Sequence, residues 1–143
     1  MTEIHLVTGV ALLATNLLAG VWGAEAWLRH RASVGFWYAL RIAQVAVVIQ
    51  VMLGLVLVFT GRVAVDLHYV YGALPLLVSL LAETIRAGAA QQELGELDFR
   101  GLPEARQREI ALAIVRREMG IMAVGSLVIF GLALRAAGTT PLI

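Results

Sequence analysis

Two histidines occupy matching positions in two strongly apolar segments of the chain. Each is followed by a glycine four residues on and by a small polar residue eleven residues on. At about 100° per residue, offsets of four and eleven fall within roughly 40° of the starting direction, so each set lines one helix face. Two neutral imidazoles that face each other can bind one haem iron, and glycine leaves room for the flat macrocycle. The sets are His5, Gly9 and Asn16, and His68, Gly72 and Ser79.

The alternative for each histidine is an ordinary polar residue at a helix end, in water or lipid headgroups, with the glycines used for helix packing. Counting from the inner arginines also predicts unequal depths. Arg29 follows His5 by 24 residues, whereas Arg86 follows His68 by 18. At ~1.5 Å per residue, His68 is expected to lie several ångströms deeper than His5.

Four apolar spans supply the helices that would position these histidines. The chain is 60% hydrophobic with a mean hydropathy of +0.85, far above the roughly 45–50% apolar usage of soluble domains. Each span is near the ~20 residues that cross a bilayer. The sequence therefore predicts an all-α bundle of four transmembrane helices, up-down-up-down, as a single membrane domain over 1–143. The predicted helices are 4–28, 40–59, 63–85 and 103–136.

The last helix is expected to begin before its membrane span. The stretch 91–101 is polar and is predicted to leave the membrane. Pro103 is typical of a first helical position, and residues 104–118 are amphipathic. They are predicted to run into the fourth span as one helix that covers the inner end of the bundle or rests on the bilayer; docking to a partner is the alternative.

The residue types that are missing exclude several functions. There is no cysteine, which excludes disulfides, thiolate metal sites, iron–sulfur clusters and c-type haem attachment. There is no lysine, which excludes a Schiff base and a P-loop. The net charge of +1 does not indicate the basic surface that a nucleic-acid-binding protein needs.

The arginines are placed asymmetrically. Nine flank or occupy the first and third connections, and only Arg62 and Arg135 fall on the opposite side. The positive-inside rule then predicts both termini outside, in a bacterial or archaeal cytoplasmic membrane. The first helix is interpreted as a retained span, because it lacks a basic region before it and ends in an Arg-rich stretch.

Charged residues near the spans have mostly structural interpretations. Glu25 and Glu83 lie four and three residues before Arg29 and Arg86, which predicts helix-end ion pairs. Arg62 is a candidate partner for a haem propionate, because the guanidinium suits planar carboxylates; an ordinary solvated loop arginine is the alternative. Four polar residues are expected to make interhelical hydrogen bonds: Asn16, Gln44, Gln50 and Ser79.

Residues Gln50 to Gly61 read QVMLGLVLVFTG, and a histidine follows at 68. This pattern resembles the haem A synthase family, in which a Gln-x-x-Leu-Gly…Leu-Thr-Gly helix is followed shortly by a helix opening Ala-x-His. The segment with Glu3, His5 and Gly9 is similar to that family's Glu-x-x-His-Arg helix. The resemblance covers roughly 3–86. It implies that His5 and His68 are axial haem ligands within one four-helix half.

The chain also departs from that family. Glu3 precedes His5 by two residues rather than three, Leu6 stands in place of the arginine, and only one of two halves is present. The resemblance therefore implies a haem-binding framework more than synthase activity.

Together these observations predict a cytochrome b-like membrane protein that binds one b-type haem per chain. Its metal ligands would be His5 and His68, with Gly9, Gly72 and Arg62 also at the cofactor. Electron transfer, or haem handling or sensing, is expected, and an enzyme is less expected because no substrate site is evident. The expected partners are the lipid bilayer and a second copy or a larger redox complex, without nucleic acid. The alternatives are a cofactor-free structural subunit and a half-size haem-modifying enzyme acting as a dimer.

Overall fold

The computed structural model describes residues 2–62 and 64–139, and these residues form helices joined by short connections. A 3-10 turn at Phe99–Gly101 precedes the last helix. The helices are α1 (Thr2–Leu28), α2 (Val34–Phe59), α3 (Asp66–Leu94) and α4 (Glu104–Ala137). The predicted all-α class with four long helices is confirmed. Each helix is long and apolar enough to cross a membrane.

The helix α2 begins six residues earlier than the sequence predicted. Its first residue is Val34 rather than 40, because the Ser33 hydroxyl accepts a hydrogen bond of 3.2 Å from the Phe36 amide. This is a side-chain cap on one of the free amides of the first turn. The helix ends at Phe59, as predicted. Beyond it, Gly61 has φ +79° and the Arg62 amide donates to the Leu57 carbonyl, which is the left-handed glycine motif that closes many helices.

The bounds of α3 also differ from prediction. The helix begins at Asp66, and position 63, where the predicted span begins, lies outside the described residues. It continues to Leu94, nine residues past the predicted end at 85, and stops where Gly95 takes φ +50°. The first part of the stretch 91–101 is therefore helical, and only its remainder forms the connection.

The helix α4 confirms that the amphipathic segment continues into the fourth span. It is one helix of 34 residues, from Glu104 to Ala137. Pro103 caps it instead of being its first residue, a difference of one position.

The helices pack in the order α2, α1, α4, α3. The helix α1 packs against both α2 and α4, and α3 packs mainly against α4, whereas α2 and α3 meet only slightly. Consequently α1 and α3 lie diagonally across the bundle. The larger buried cluster comprises Ala26, Phe36, Leu40, Ala82, Met119 and Met122, and the smaller comprises Leu12, Val47 and Ile129.

Small residues allow close contact between α1 and its neighbours. A Cβ built on Gly23 would lie 2.4 Å from Cε2 of Phe36 and 2.9 Å from Cβ of Ala123. A Cβ on Gly120 would lie 2.8 Å from Cε2 of Trp27. Close helix contacts of this kind are made by glycine because no side chain separates the backbones.

Ion pairs gather at the end of the bundle that holds most arginines. Glu25 pairs with Arg29 at 2.9 Å, and Glu83 pairs with Arg86 at 2.8 Å, so both predicted pairs are confirmed. Glu83 also pairs with Arg41 of α2 at 2.6 Å. This ion pair joins α2 to α3, which otherwise meet only slightly.

Candidate functional site

The two histidines singled out by their spacing meet across the bundle. The ring centroids of His5 and His68 are 6.2 Å apart, with 61° between the ring planes. Both residues are half-buried. His5 is in the first turn of α1 and His68 in the first turn of α3, so the contact spans the diagonal of the bundle.

The rings of His5 and His68 meet although the sequence predicted different depths for the two residues. Their centroids cannot differ in height by more than the 6.2 Å that separates them. The predicted offset of several ångströms lies within this bound and stays a prediction, and Arg86 does not mark the inner end of its helix. It pairs with Glu83 and with Glu118 of α4, and α3 continues for eight more residues to Leu94.

His68 is oriented by the end of α4. Its Nδ1 lies 3.2 Å from the backbone oxygen of Ala136. A carbonyl oxygen only accepts hydrogen bonds, so Nδ1 carries the proton and donates, and Nε2 keeps a free lone pair. Metal-binding histidines are commonly held in this way, with one ring nitrogen donating to a carbonyl and the other free for the metal.

His5 is held by Gln50 of α2. The Gln50 amide nitrogen lies 3.1 Å from the backbone oxygen of His5 and 3.2 Å from its Nε2. The Thr8 hydroxyl contacts the amide oxygen of the same side chain. With the amide nitrogen as donor, Nε2 of His5 is an acceptor and its proton is on Nδ1. That buried Nδ1 has no hydrogen-bond partner among the described residues.

The ring separation fits two ligands of one metal. A first-row metal binds an imidazole nitrogen at about 2 Å, so two imidazoles on opposite sides of it have ring centroids about 6 Å apart. The observed separation is 6.2 Å. The angle between the rings is also acceptable, because each imidazole can turn about its own metal–nitrogen bond. The unpartnered Nδ1 of His5 could bind a metal only with the ring proton on Nε2.

The glycines near the histidines have different surroundings. A Cβ on Gly72 would meet no atom within 4 Å, whereas a Cβ on Gly9 would lie 3.1 Å from the amide nitrogen of Gln50. Gly72 therefore borders open space beside His68, and Gly9 makes room for the Gln50 side chain. A third glycine belongs here: a Cβ on Gly54 would lie 3.5 Å from Cε1 of His5.

The cations near this end of the bundle are Arg62 and Arg135. Arg62 is exposed in the connection between α2 and α3, and its side chain has no polar partner among the described residues. Among the described residues, no hydrogen bond or ring contact joins it to His5 or His68, and its role at a haem stays a prediction. Arg135 lies one residue before Ala136, the partner of His68, and its guanidinium carbon is 5.8 Å from the centroid of the Tyr71 ring. Arg135 is thus the cation nearest in sequence to the His68 anchor.

The polar residues expected between helices behave in two ways. Gln50 reaches His5 as described, and Gln44 donates to Glu83 of α3 at 2.8 Å, so both predictions are confirmed. Asn16 instead donates to Leu12 of its own helix at 3.0 Å, and Ser79 makes no hydrogen bond within the described part of the chain. Both line a cavity of about 10 Å³, near the size of one water molecule.

Gln50 and Gly54 are the site residues that the spacing argument missed. They lie on α2, four residues apart; Gln50 contacts His5, and a Cβ on Gly54 would lie 3.5 Å from Cε1 of His5. They belong to the QVMLG segment that carries the family resemblance, which was the one available signal.

The two histidines suit a metal whose remaining ligands come from a cofactor. Within residues 2–62 and 64–139, no group of three or more histidine, cysteine, aspartate or glutamate side chains is placed to hold a metal ion. A haem needs only two, because the porphyrin supplies four nitrogens. No family model, curated protein or solved structure matches the chain.

Proposed function

We propose that this chain is an integral membrane protein that binds one b-type haem between α1 and α3 through His5 and His68. The observation that carries the proposal is the pair of rings 6.2 Å apart, together with the hydrogen bond that leaves Nε2 of His68 free. A bis-histidine haem supplies one-electron exchange at its iron. Electron transfer is therefore the proposed role, and haem handling or sensing would use the same site.

The proposed topology is up-down-up-down with both termini outside. It rests on the arginines of the two inner connections, on the four apolar helices, and on the positive-inside rule. The haem would then lie near the outer face. The weakly packed side between α2 and α3 is where the macrocycle would reach the edge of the bundle, beside the open space at Gly72.

The residues of the chain would have distinct tasks at this site. His68 is already oriented for ligation by the Ala136 carbonyl. The Nε2 of His5 receives the Gln50 amide, so that ring must turn or release Gln50 when it binds iron. Arg135, whose guanidinium lies beside the Tyr71 ring, would be a second candidate partner for a propionate, in addition to the predicted Arg62. The apolar helices around the pair would exclude water.

The second candidate function is a cofactor-free subunit of a larger membrane complex. Its support is that both histidines already make contacts that join helices: His5 with Gln50 of α2, and His68 with Ala136 of α4. In that case the histidines would stabilise the bundle, and no visible absorption would be found.

An absorption spectrum of the detergent-purified protein separates the two candidates. The haem proposal expects a Soret band and reducible α and β bands at about one haem per chain. His5→Ala and His68→Ala should each lose most of this absorption. His30→Ala is the matched control, because His30 is exposed in the connection between α1 and α2. A colourless protein, still colourless after growth with added haem and after hemin titration, would refute the proposal.

A further inference from the structure

A small cavity in the middle of the bundle is lined by one polar side chain from each helix. The four are Asn16 of α1, Gln44 of α2, Ser79 of α3 and Ser126 of α4. The rest of the lining is leucine, isoleucine, methionine, alanine and glycine. Asn16 and Ser79 are the polar residues found eleven positions after the two histidines. Roughly 16 Å of helix therefore separates the cavity from the histidine pair.

Two of the four polar side chains are almost completely buried. Asn16 and Ser126 are each 1% exposed. Burying an amide or a hydroxyl without a hydrogen-bond partner is unfavourable. A bilayer around four apolar helices would supply no water from outside the bundle. The polar groups at the cavity therefore need partners inside it.

The protein itself leaves much of this hydrogen-bonding capacity unused. Ser79 and Ser126 make no hydrogen bond to any other residue in the described part of the chain. Asn16 donates through Nδ2 to the Leu12 carbonyl at 3.0 Å, which uses one of its two N–H groups. Two hydroxyls and part of an amide thus remain available at the cavity.

Gln44 is held at the cavity from the arginine-rich end of the bundle. Its amide nitrogen donates to Glu83 at 2.8 Å, and its amide oxygen accepts from Arg41 at 2.5 Å. The second N–H group of Gln44 has no acceptor among the described residues. Because both ends of the amide are fixed, Gln44 presents one donor of known identity to the cavity.

We propose that this cavity binds one water molecule that bridges all four helices. Its volume of about 10 Å³ admits a single water, and buried waters typically make about three hydrogen bonds to polar groups. The water would accept from Gln44 and donate to the amide oxygen of Asn16. The hydroxyls of Ser79 and Ser126 can each donate or accept, so they would complete the set. The inference does not rest on the proposed haem.

A crystal structure of the full chain, grown from a lipidic phase at a resolution that shows ordered water, tests this proposal. One density peak is expected in the cavity, within hydrogen-bond distance of about three of the four polar side chains. Ser126→Val should remove the peak, because its two methyl groups replace the hydroxyl and take up the space. Ser79→Val should have the same effect, and it replaces Ser126→Val if that variant does not fold.

The matched control is Thr84→Val on α3. Its hydroxyl is exposed and donates to the Leu80 carbonyl of the same helix at 3.0 Å, so the water peak should remain. A cavity without density, or one in which the four side chains bond directly to one another, would overturn the proposal. An anomalous peak there after soaking with a thallium(I) salt would show a monovalent cation instead and would also overturn it. None of these observations uses haem absorption, so a colourless protein gives the same test.

Discussion

Gly72 offers a test that separates a haem site from a packing contact. It lies on α3 one turn beyond His68, and a Cβ there would meet no atom within 4 Å. Alanine should therefore fit the haem-free chain. Because glycine in a helix interior costs roughly 0.5–1 kcal/mol relative to alanine, Gly72→Ala should stabilise the haem-free protein by about that amount.

A bound macrocycle changes the expected sign. If the porphyrin lies against the backbone at Gly72, an added side chain would overpack the site, and overpacking costs about 1–3 kcal/mol. That energy corresponds to a loss of haem affinity of roughly 5- to 150-fold. Gly72→Leu should lower the haem affinity by the upper end of this range or more. Gly72→Ala would thus stabilise the haem-free protein and lower its affinity for haem.

The matched control for this prediction is Gly131→Ala on α4. Gly131 also has no atom within 4 Å of a built Cβ, and it is exposed in the interior of its helix. It should give the same gain in stability and no change in haem affinity. Thermal unfolding of the haem-free protein in detergent measures the first quantity, and hemin titration followed at the Soret band measures the second. Wild-type hemin affinity in Gly72→Leu would refute the placement of the macrocycle at this glycine.

Two further predictions test the ligand anchor and the topology. Gln50→Leu removes the amide that holds His5 and should shift the midpoint potential and the low-spin electron paramagnetic resonance signal of the bound haem. The control Gln44→Leu, which loses the contacts with Glu83 and Arg41, should change neither. Equal spectra for both variants would exclude a positioning role for Gln50. The topology can be tested with single cysteines, because the chain has none of its own. The Glu96→Cys variant should react with an impermeant maleimide only in inside-out vesicles, and the Thr2→Cys variant only in intact spheroplasts. The opposite pattern would reverse the proposed orientation.

The pairing of His5 with His68 illustrates what the sequence could predict. Equal spacing to glycine and to a polar residue placed each histidine on a defined helix face, and the four apolar spans predicted that both helices belong to one small bundle. The structure brings the ring centroids to 6.2 Å, a separation compatible with the predicted depth offset of several ångströms.

The hydrogen bonds that hold the rings of His5 and His68 could not be predicted from residue spacing. The bond from His5 to Gln50 depends on the height of α2 relative to α1, and the bond from His68 to Ala136 depends on where α4 ends. Both are set by packing between segments that are distant in sequence. The early start of α2 was also missed, because Ser33 was read as part of a polar loop and not as a helix cap.

The two histidines are held in complementary ways, and this asymmetry favours a shared ligand over a purely structural role. Packing alone accounts for the bond that each ring makes to a neighbouring helix. It does not account for Nδ1 of His5, which is buried without a partner. An unsatisfied buried polar group costs about 1–3 kcal/mol, and an apolar residue at position 5 would avoid that cost. An iron bound at that nitrogen, with the ring proton moved to Nε2, would offset it. His5 would then have to release the Gln50 amide nitrogen, which cannot donate to a protonated Nε2.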